Sequence, residues 1–165
     1  MMRRAPVRMT WLLGAVGVAI AVACKGSTAP HQPALCPSYS GGKASADSLV
    51  GVYQLASYCI DTLPVHGPPA DTGHVTLKRA TPADSITAVF ATQGQSPLNV
   101  AGTYTLSGTD SIHVTGNVTT PLGPVGVELL GRFLLQQNTL SVSGRLSGTG
   151  TSARPLSFVG SRSAP

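Results

Sequence analysis

The chain has little charge and few aromatic side chains. Charged residues make up 10% of its 165 residues and aromatic residues 5%. Beyond the N-terminal stretch, the only adjacent basic residues are Lys78 and Arg79. Proteins that bind nucleic acids need clustered cations for the phosphates and, on single strands, aromatic rings for the bases. The composition therefore excludes nucleic acid as a partner.

The chain also lacks the patterns that carry acid–base, nucleophilic or metal chemistry. Its six acidic residues form no close pair, and no Gly-x-Ser-x-Gly turn or phosphate-binding glycine loop is present. No ligand-like spacing links the four histidines, which we interpret as surface side chains: His31, His66, His74 and His113. We therefore expect no catalytic residues, no metal, no cofactor and no enzymatic activity.

No apolar run in the sequence is long enough to cross a membrane as a helix. The run from Trp11 to Ala23 contains thirteen residues without a charge and follows Arg3, Arg4 and Arg8. A membrane span needs about 18 apolar residues. A basic stretch before a shorter apolar run instead predicts an export signal over residues 1–23. Its removal leaves eight basic and six acidic residues, so the net charge of the mature chain is +2.

The cysteine that follows this run is the first of three. The stretch "AVAC", residues 21–24, resembles the lipobox of bacterial lipoproteins, with Ala21 where that family most often has leucine. The resemblance implies that Cys24 becomes the first residue, carries a diacylglycerol and anchors the protein to a membrane of the bacterial cell envelope. The alternative is ordinary cleavage after Ala23, which would make the protein secreted and Cys24 a spare thiol.

The number of cysteines favours the lipidated form. An exported protein that kept all three cysteines would carry one unpaired thiol into an oxidising compartment, because only two of them can form a disulfide. Lipidation of Cys24 leaves Cys36 and Cys59, which we predict to form a disulfide. The spacing of this pair is too wide for a redox-active motif, so its expected role is structural.

The mature chain divides into a tether and one β-domain. Residues 24–47 are rich in Gly, Pro, Ser and Ala and show no periodicity, which is typical of a flexible tether. From residue 48 to 162, apolar and polar residues alternate in eight short segments separated by turn residues, which predicts eight strands. The clearest hairpin, "VAGTYTLSGTDSIHVTG", turns at Ser107-Gly108-Thr109-Asp110.

Short turns between successive strands favour a particular all-β architecture. Eight antiparallel strands in meander order can close into an up-and-down barrel that is filled by side chains or holds one small ligand. The outward positions carry Thr, Ser, Lys and Arg where lipid would require apolar groups, so the barrel is expected to be soluble. A two-sheet β-sandwich would show similar patterning and is the alternative.

Two stretches resemble the lipocalin-like domains found in many bacterial lipoproteins. They are "GVYQL" and "AGTYTLSGTDSIHV", and Gly51-x-Tyr53 is similar to the Gly-x-Trp motif with which lipocalins open. The resemblance implies an eight-stranded barrel whose Tyr53 ring plugs one end, with an arginine of the final strand across it. Arg154 is the candidate nearest in sequence. It also implies an interior that binds a small apolar molecule without a cofactor.

Alternation places four large side chains on the inward faces of their strands. These candidate ligand-binding residues are Tyr53, Tyr104, Leu129 and Phe133. The leading hypothesis is an exported bacterial lipoprotein whose barrel binds a small hydrophobic or amphiphilic molecule. The alternative is a non-catalytic structural or protein-interaction module of the cell envelope, in which the same side chains fill the interior.

Overall fold

The alternating pattern produces eight antiparallel strands in the computed structural model, which describes residues 35–43, 45–62 and 64–163. Each strand pairs with the next, and the last pairs with the first, so that the sheet closes into a barrel. The strands are β1 Gly51–Ile60, β2 Asp71–Lys78, β3 Ser85–Thr92, β4 Leu98–Ser107, β5 Ser111–Thr120, β6 Gly123–Gln136, β7 Thr139–Gly148 and β8 Arg154–Arg162.

The predicted up-and-down barrel is confirmed, and the β-sandwich alternative is wrong. Closure leaves no unpaired sheet edge, because β8 returns to pair with β1 from Tyr53↔Arg162 to Ile60↔Leu156. A bulge in this pairing lies between Leu55 and Ser57. Among the described residues, no helix combines the length and the apolar character needed to cross a membrane.

The two ends of the barrel differ. At the closed end lie the turns 79–84, 108–110 and 137–138, together with a one-turn helix, α1 (Ala46–Leu49). The side chain of Ser45 accepts a hydrogen bond from the Ser48 N–H and caps this helix. Leu49, the last residue of this helix, is fully buried. At the open end lie the connections 61–70, 93–97, 121–122 and 149–153.

The chain reaches the barrel at the open end and runs along its outer wall to the closed end. Leu35 bridges Thr62, and the predicted disulfide between Cys36 and Cys59 is confirmed. Farther along, the Tyr39 N–H donates to Ser143 Oγ at 2.7 Å, and the Gly41 N–H donates to Asp110 Oδ2 at 2.8 Å. The ordered domain therefore begins before Ser48 and includes part of the predicted tether.

The remaining N-terminal predictions fall on residues 1–34. The signal over residues 1–23, Cys24 and the first part of the tether lie outside the described residues.

Paired glycines let the sheet bend sharply. Gly102 lies opposite Gly116, and Gly131 opposite Gly144, across two pairs of neighbouring strands. A Cβ atom at Gly102 would lie 2.1 Å from the Thr115 carbonyl oxygen, and one at Gly144 would lie 2.4 Å from the Leu130 carbonyl oxygen. Only glycine permits backbones to approach this closely, and such corners close a small barrel.

Candidate functional site

The barrel interior contains an apolar cavity. Its volume is about 170 Å³, and its lining consists entirely of Ile, Val, Leu, Ala and Phe side chains. Every strand contributes at least one of these residues, from Ile60 on β1 to Phe158 on β8. This cavity is the candidate functional site.

Small side chains on neighbouring strands leave this space. Ala88 lies opposite Val75 on one side and Val100 on the other, and all three line the cavity. Ala88 is buried, but its single methyl group reaches only a short way into the interior. Short side chains on this part of the wall leave space inside the barrel.

The cavity opens toward solvent at the open end. Ile60 and Leu98 both line it, and they are 42% and 41% exposed. Each lies at the terminus of its strand next to an open-end connection. The cavity wall therefore extends to the protein surface at the open end.

The closed end is filled by aromatic side chains. Tyr53, Tyr104 and Phe133 are all at most 1% exposed. The Tyr53 hydroxyl donates to the Leu49 carbonyl oxygen at 3.0 Å and accepts from Arg162 Nη2 at 2.6 Å. The Arg162 guanidinium carbon also lies 5.2 Å from the centroid of the Tyr53 ring, a cation–π contact. This plug seals one end of the interior.

The arginine at the plug is Arg162, and the prediction of Arg154 is wrong. Arg154 begins β8 at the open end, where its Nη1 lies 4.0 Å from Asp61 Oδ2. Arg162 ends β8 and pairs with Tyr53 in the β1–β8 register. The sequence alone does not show which end of the final strand lies beside the Tyr53 ring.

The four predicted ligand-binding residues separate into two groups. Leu129 lies on the cavity wall, whereas Tyr53, Tyr104 and Phe133 belong to the closed-end plug and do not line the cavity. All four belong to the interior, as alternation predicts. Alternation shows whether a side chain points into the barrel, but not how far along the barrel axis it lies. It therefore did not identify Val75, Ala88, Val100 and Val142 as residues of the cavity wall.

The two plug tyrosines differ in hydrogen bonding. No described residue forms a hydrogen bond with the Tyr104 hydroxyl. Burial raises the pKa of Tyr104 above its usual value, and the Asp84 carboxylate adds a smaller contribution in the same direction. The Tyr104 ring therefore acts as a neutral space-filling group, whereas the Tyr53 hydroxyl joins α1, β1 and β8.

This difference predicts opposite results for the same substitution. Tyr53→Phe should lower the free energy of unfolding by about 1–3 kcal/mol, because it leaves the Leu49 carbonyl oxygen without this donor and Arg162 Nη2 with the Ser48 carbonyl oxygen as its remaining acceptor. Tyr104→Phe should leave it within about 0.5 kcal/mol or raise it slightly, since it removes an unpaired buried hydroxyl. Urea unfolding of the two variants measures both values. Equal losses would show that the plug contacts are misassigned.

Two histidines outside the cavity lie beside carboxylates. His113 Nε2 lies 2.8 Å from Glu128 Oε1 on the outer wall, and His66 Nδ1 lies 3.5 Å from Asp71 Oδ2. In the described ranges, no group of three or more His, Cys, Asp or Glu side chains is arranged to hold a metal ion.

A surface groove lies between residues 35–39 and the outer faces of β6 and β7. It measures about 440 Å³ and includes Arg132, Arg145 and Ser143. The lining of this groove mixes charged, polar and apolar groups, whereas the lining of the interior cavity is apolar throughout. The interior cavity is therefore the better candidate for binding a small apolar molecule.

No protein-family model and no curated protein matches the chain. Several chains of solved structures are similar to it, and two of them are redesigned beta barrels. A redesigned beta barrel, b11L5F_LGL, is 16% identical with a TM-score of 0.55, and the match covers 76% of this chain and 100% of that chain. A second redesigned beta barrel, mFAP1, bound to DFHBI, is 18% identical with a TM-score of 0.49, over 71% of this chain and 97% of that chain. The first likeness supports the barrel fold.

Proposed function

We propose that this protein is an exported bacterial lipoprotein whose barrel binds a small hydrophobic or amphiphilic molecule. The observation that carries the proposal is the cavity, which is wholly apolar and whose wall includes the exposed Ile60 and Leu98 at the open end. A fully packed interior would serve stability alone. An apolar space with an entrance has the properties of a binding site.

The size of the cavity limits the ligand. Pockets for drug-sized molecules usually measure about 300–1,000 Å³, whereas an apolar cavity of about 150 Å³ is enough for benzene. A volume of about 170 Å³ therefore suits one small ring or a single alkyl chain. No polar side chain lines the wall, so a polar head group would remain at the open end, in contact with water.

The closed-end plug supports the proposed relation to lipocalin-like domains. Gly51-x-Tyr53 opens β1, and Arg162 from the final strand lies across the Tyr53 ring. This is the arrangement that the resemblance implies, with tyrosine in place of tryptophan and Arg162 as the arginine. It seals one end, so that ligand exchange occurs at the other.

The lipoprotein assignment rests on the sequence around Cys24 and on the cysteine pairing. Cys36 and Cys59 form a disulfide, which is typical of an oxidising compartment outside the cytoplasm. With these two cysteines paired, Cys24 is the remaining cysteine of the chain. A thioether-linked diacylglycerol on Cys24 would supply the two acyl chains that stable anchoring requires.

Ligand binding is tested by filling the cavity from one wall. Ala88→Phe should lower the association constant for 1-octanol by at least about tenfold, because the added ring would occupy the binding space. The melting temperature should stay the same or rise, since filling an apolar cavity adds contacts. Isothermal titration calorimetry with 1-octanol measures the first effect and differential scanning calorimetry the second.

The matched control is the same substitution on the outward face. Ala101 is exposed on β4, so Ala101→Phe should bind 1-octanol with the affinity of the unsubstituted protein. Absence of saturable binding to the unsubstituted protein would refute the binding proposal and favour the structural module. Equal affinities in all three proteins would place the binding outside the cavity.

Lipidation has its own test. Cys24→Ser should move the protein from the membrane fraction to the soluble fraction of its bacterial host, because serine cannot form the thioether. Cell fractionation followed by immunoblotting measures the distribution, and an intact mass shows the diacylglycerol directly. An unchanged membrane fraction together with an unmodified Cys24 would contradict the assignment.

A further inference from the structure

Large apolar side chains are exposed around the cavity entrance. Of the nine described large hydrophobic residues that are exposed, six belong to the open end, and these are Leu35, Ile60, Val65, Leu98, Leu122 and Val125. Two of them, Ile60 and Leu98, also line the cavity. Apolar side chains are therefore exposed at the rim of the barrel, where two of them extend the cavity wall, and we call these six residues the apolar rim.

The most exposed member of the apolar rim is held in place by its turn. Leu122 lies at the tip of the β5–β6 hairpin and is fully exposed. The Leu122 N–H donates to Thr120 Oγ1 at 3.3 Å, and Thr120 Oγ1 donates to the Gly123 carbonyl oxygen at 2.6 Å. Exposure of a whole leucine side chain to water is unfavourable, by roughly 1.5–3 kcal/mol relative to burial. This turn nevertheless presents it outward.

Few charged residues lie at the same end. In the open-end connections and the strand residues beside them, the described charged residues are Asp61, Asp71 and Arg154. Arg145 on the outer wall also reaches this end, where its Nη2 donates to the Ala153 carbonyl oxygen at 3.1 Å. Asp61 lies 4.0 Å from Arg154, and Asp71 is buried beside His66. No lysine is present there. The other ten described charged residues lie at the closed end or on the outer wall. An apolar rim with few charges, of both signs, suits a neutral lipid surface better than an acidic or basic protein surface.

The first described residue also lies at this end. Leu35 bridges Thr62 in the open-end connection between β1 and β2, and Cys24 precedes Leu35 by eleven residues. Eleven residues span at most about 40 Å. A lipid on Cys24 would therefore anchor the chain within about 40 Å of the apolar rim.

We infer that the apolar rim docks on the surface of a lipid bilayer, with Leu122 inserted, so that the cavity takes up its ligand from the membrane. This inference rests on the proposed function, since it assigns the bilayer as the source of the ligand. The expected ligand is a single-chain amphiphile whose head group stays at the rim while its alkyl chain enters the cavity. Docking removes the exposed apolar side chains from water, and the ligand passes from the bilayer into the cavity without crossing the aqueous phase.

The test measures docking without the contribution of the lipid anchor. All proteins carry Cys24→Ser and are mixed with phosphatidylcholine vesicles, and the bound fraction is measured by co-sedimentation. Leu122→Asp should lower the vesicle partition coefficient by about tenfold or more, because it replaces an inserted apolar side chain by a charge. Leu130→Asp is the matched control: Leu130 is 56% exposed but lies on the outer wall in the middle of β6, so its substitution should leave the coefficient unchanged.

Other outcomes would overturn the inference. Equal partition of the two aspartate variants, or no vesicle binding by the Cys24→Ser protein, would show that the apolar rim does not dock. Binding that requires anionic phosphatidylglycerol would assign the contact to basic residues instead. A dimer in analytical ultracentrifugation that Leu122→Asp dissociates, without vesicle binding, would make a second copy of the chain the partner.

The same variants separate this inference from the proposed function. Leu122 does not line the cavity, so Leu122→Asp should bind 1-octanol like its parent. Vesicle binding without octanol binding would refute ligand binding in the cavity and support docking on the bilayer. Octanol binding without vesicle binding would support ligand binding in the cavity and refute docking on the bilayer.

Discussion

Replacement of Phe133 by alanine is expected to lower the free energy of unfolding by about 3–5 kcal/mol. Phe133 is 1% exposed, lies in the closed-end plug and does not line the cavity. Its backbone carbonyl accepts the Gly42 N–H at 2.9 Å, so the strand is also fixed by the segment on the outer wall. Because the surrounding strands are tied in a closed barrel, they cannot collapse into the space that the ring leaves. Chemical unfolding in urea measures the loss.

The matched comparison is Leu129→Ala on the same strand. Leu129 is partly exposed on the cavity wall, so its truncation should cost less stability than that of Phe133. It should instead change the affinity for 1-octanol, whereas Phe133→Ala should leave that affinity within about twofold while the protein is folded. If both variants lost equal stability and neither altered binding, the division of the interior into plug and cavity would be wrong.

Loss of the Cys36–Cys59 disulfide is expected to lower the free energy of unfolding by about 3 kcal/mol. The bridge joins residues 23 positions apart and holds the start of the outer-wall segment against β1. Without it, the unfolded chain gains conformational freedom, and the contacts of Tyr39 and Gly41 with the barrel must be formed without the covalent link. The Cys36→Ser/Cys59→Ser double variant, unfolded in urea beside the oxidised protein, measures the difference.

A reducing agent provides the control for this measurement. It should destabilise the oxidised protein to about the level of the double variant and leave the double variant unchanged. Two thiols that alkylate freely in exported protein before reduction would contradict the bridge. An oxidised protein no more stable than the double variant would contradict its structural role.

The strands could be predicted from the sequence because one face of each is apolar and the other polar. In the hairpin formed by β4 and β5, Tyr104 pairs with Val114 in the interior, and Thr103 pairs with Thr115 outside, where their hydroxyls lie 3.2 Å apart. The visible alternation weakens at Gly116, yet β5 continues to Thr120. Gly116 lies against Gly102, where the backbones approach too closely for a Cβ atom. The glycine that weakens the pattern is therefore required by the barrel corner.

The position of the cavity could not be predicted because it depends on levels along the barrel axis. These levels follow from strand tilt and register, such as the bulge between Leu55 and Ser57 that helps to set Tyr53 opposite Arg162. Alternation identifies Tyr104 and Leu129 equally as interior residues, but the first fills the closed end and the second lines the cavity. The outer-wall segment was also missed, since its contacts with Ser143 and Asp110 link residues far apart in sequence.

The central claim, that the cavity holds the ligand, is tested most directly by methyl NMR during a titration with 1-octanol. We predict saturable one-to-one changes in the methyl signals of cavity residues such as Val100, Leu129 and Val142, and little change in Leu49, which lies in the closed end. Signals that never saturate, or changes confined to residues outside the cavity, would contradict the claim.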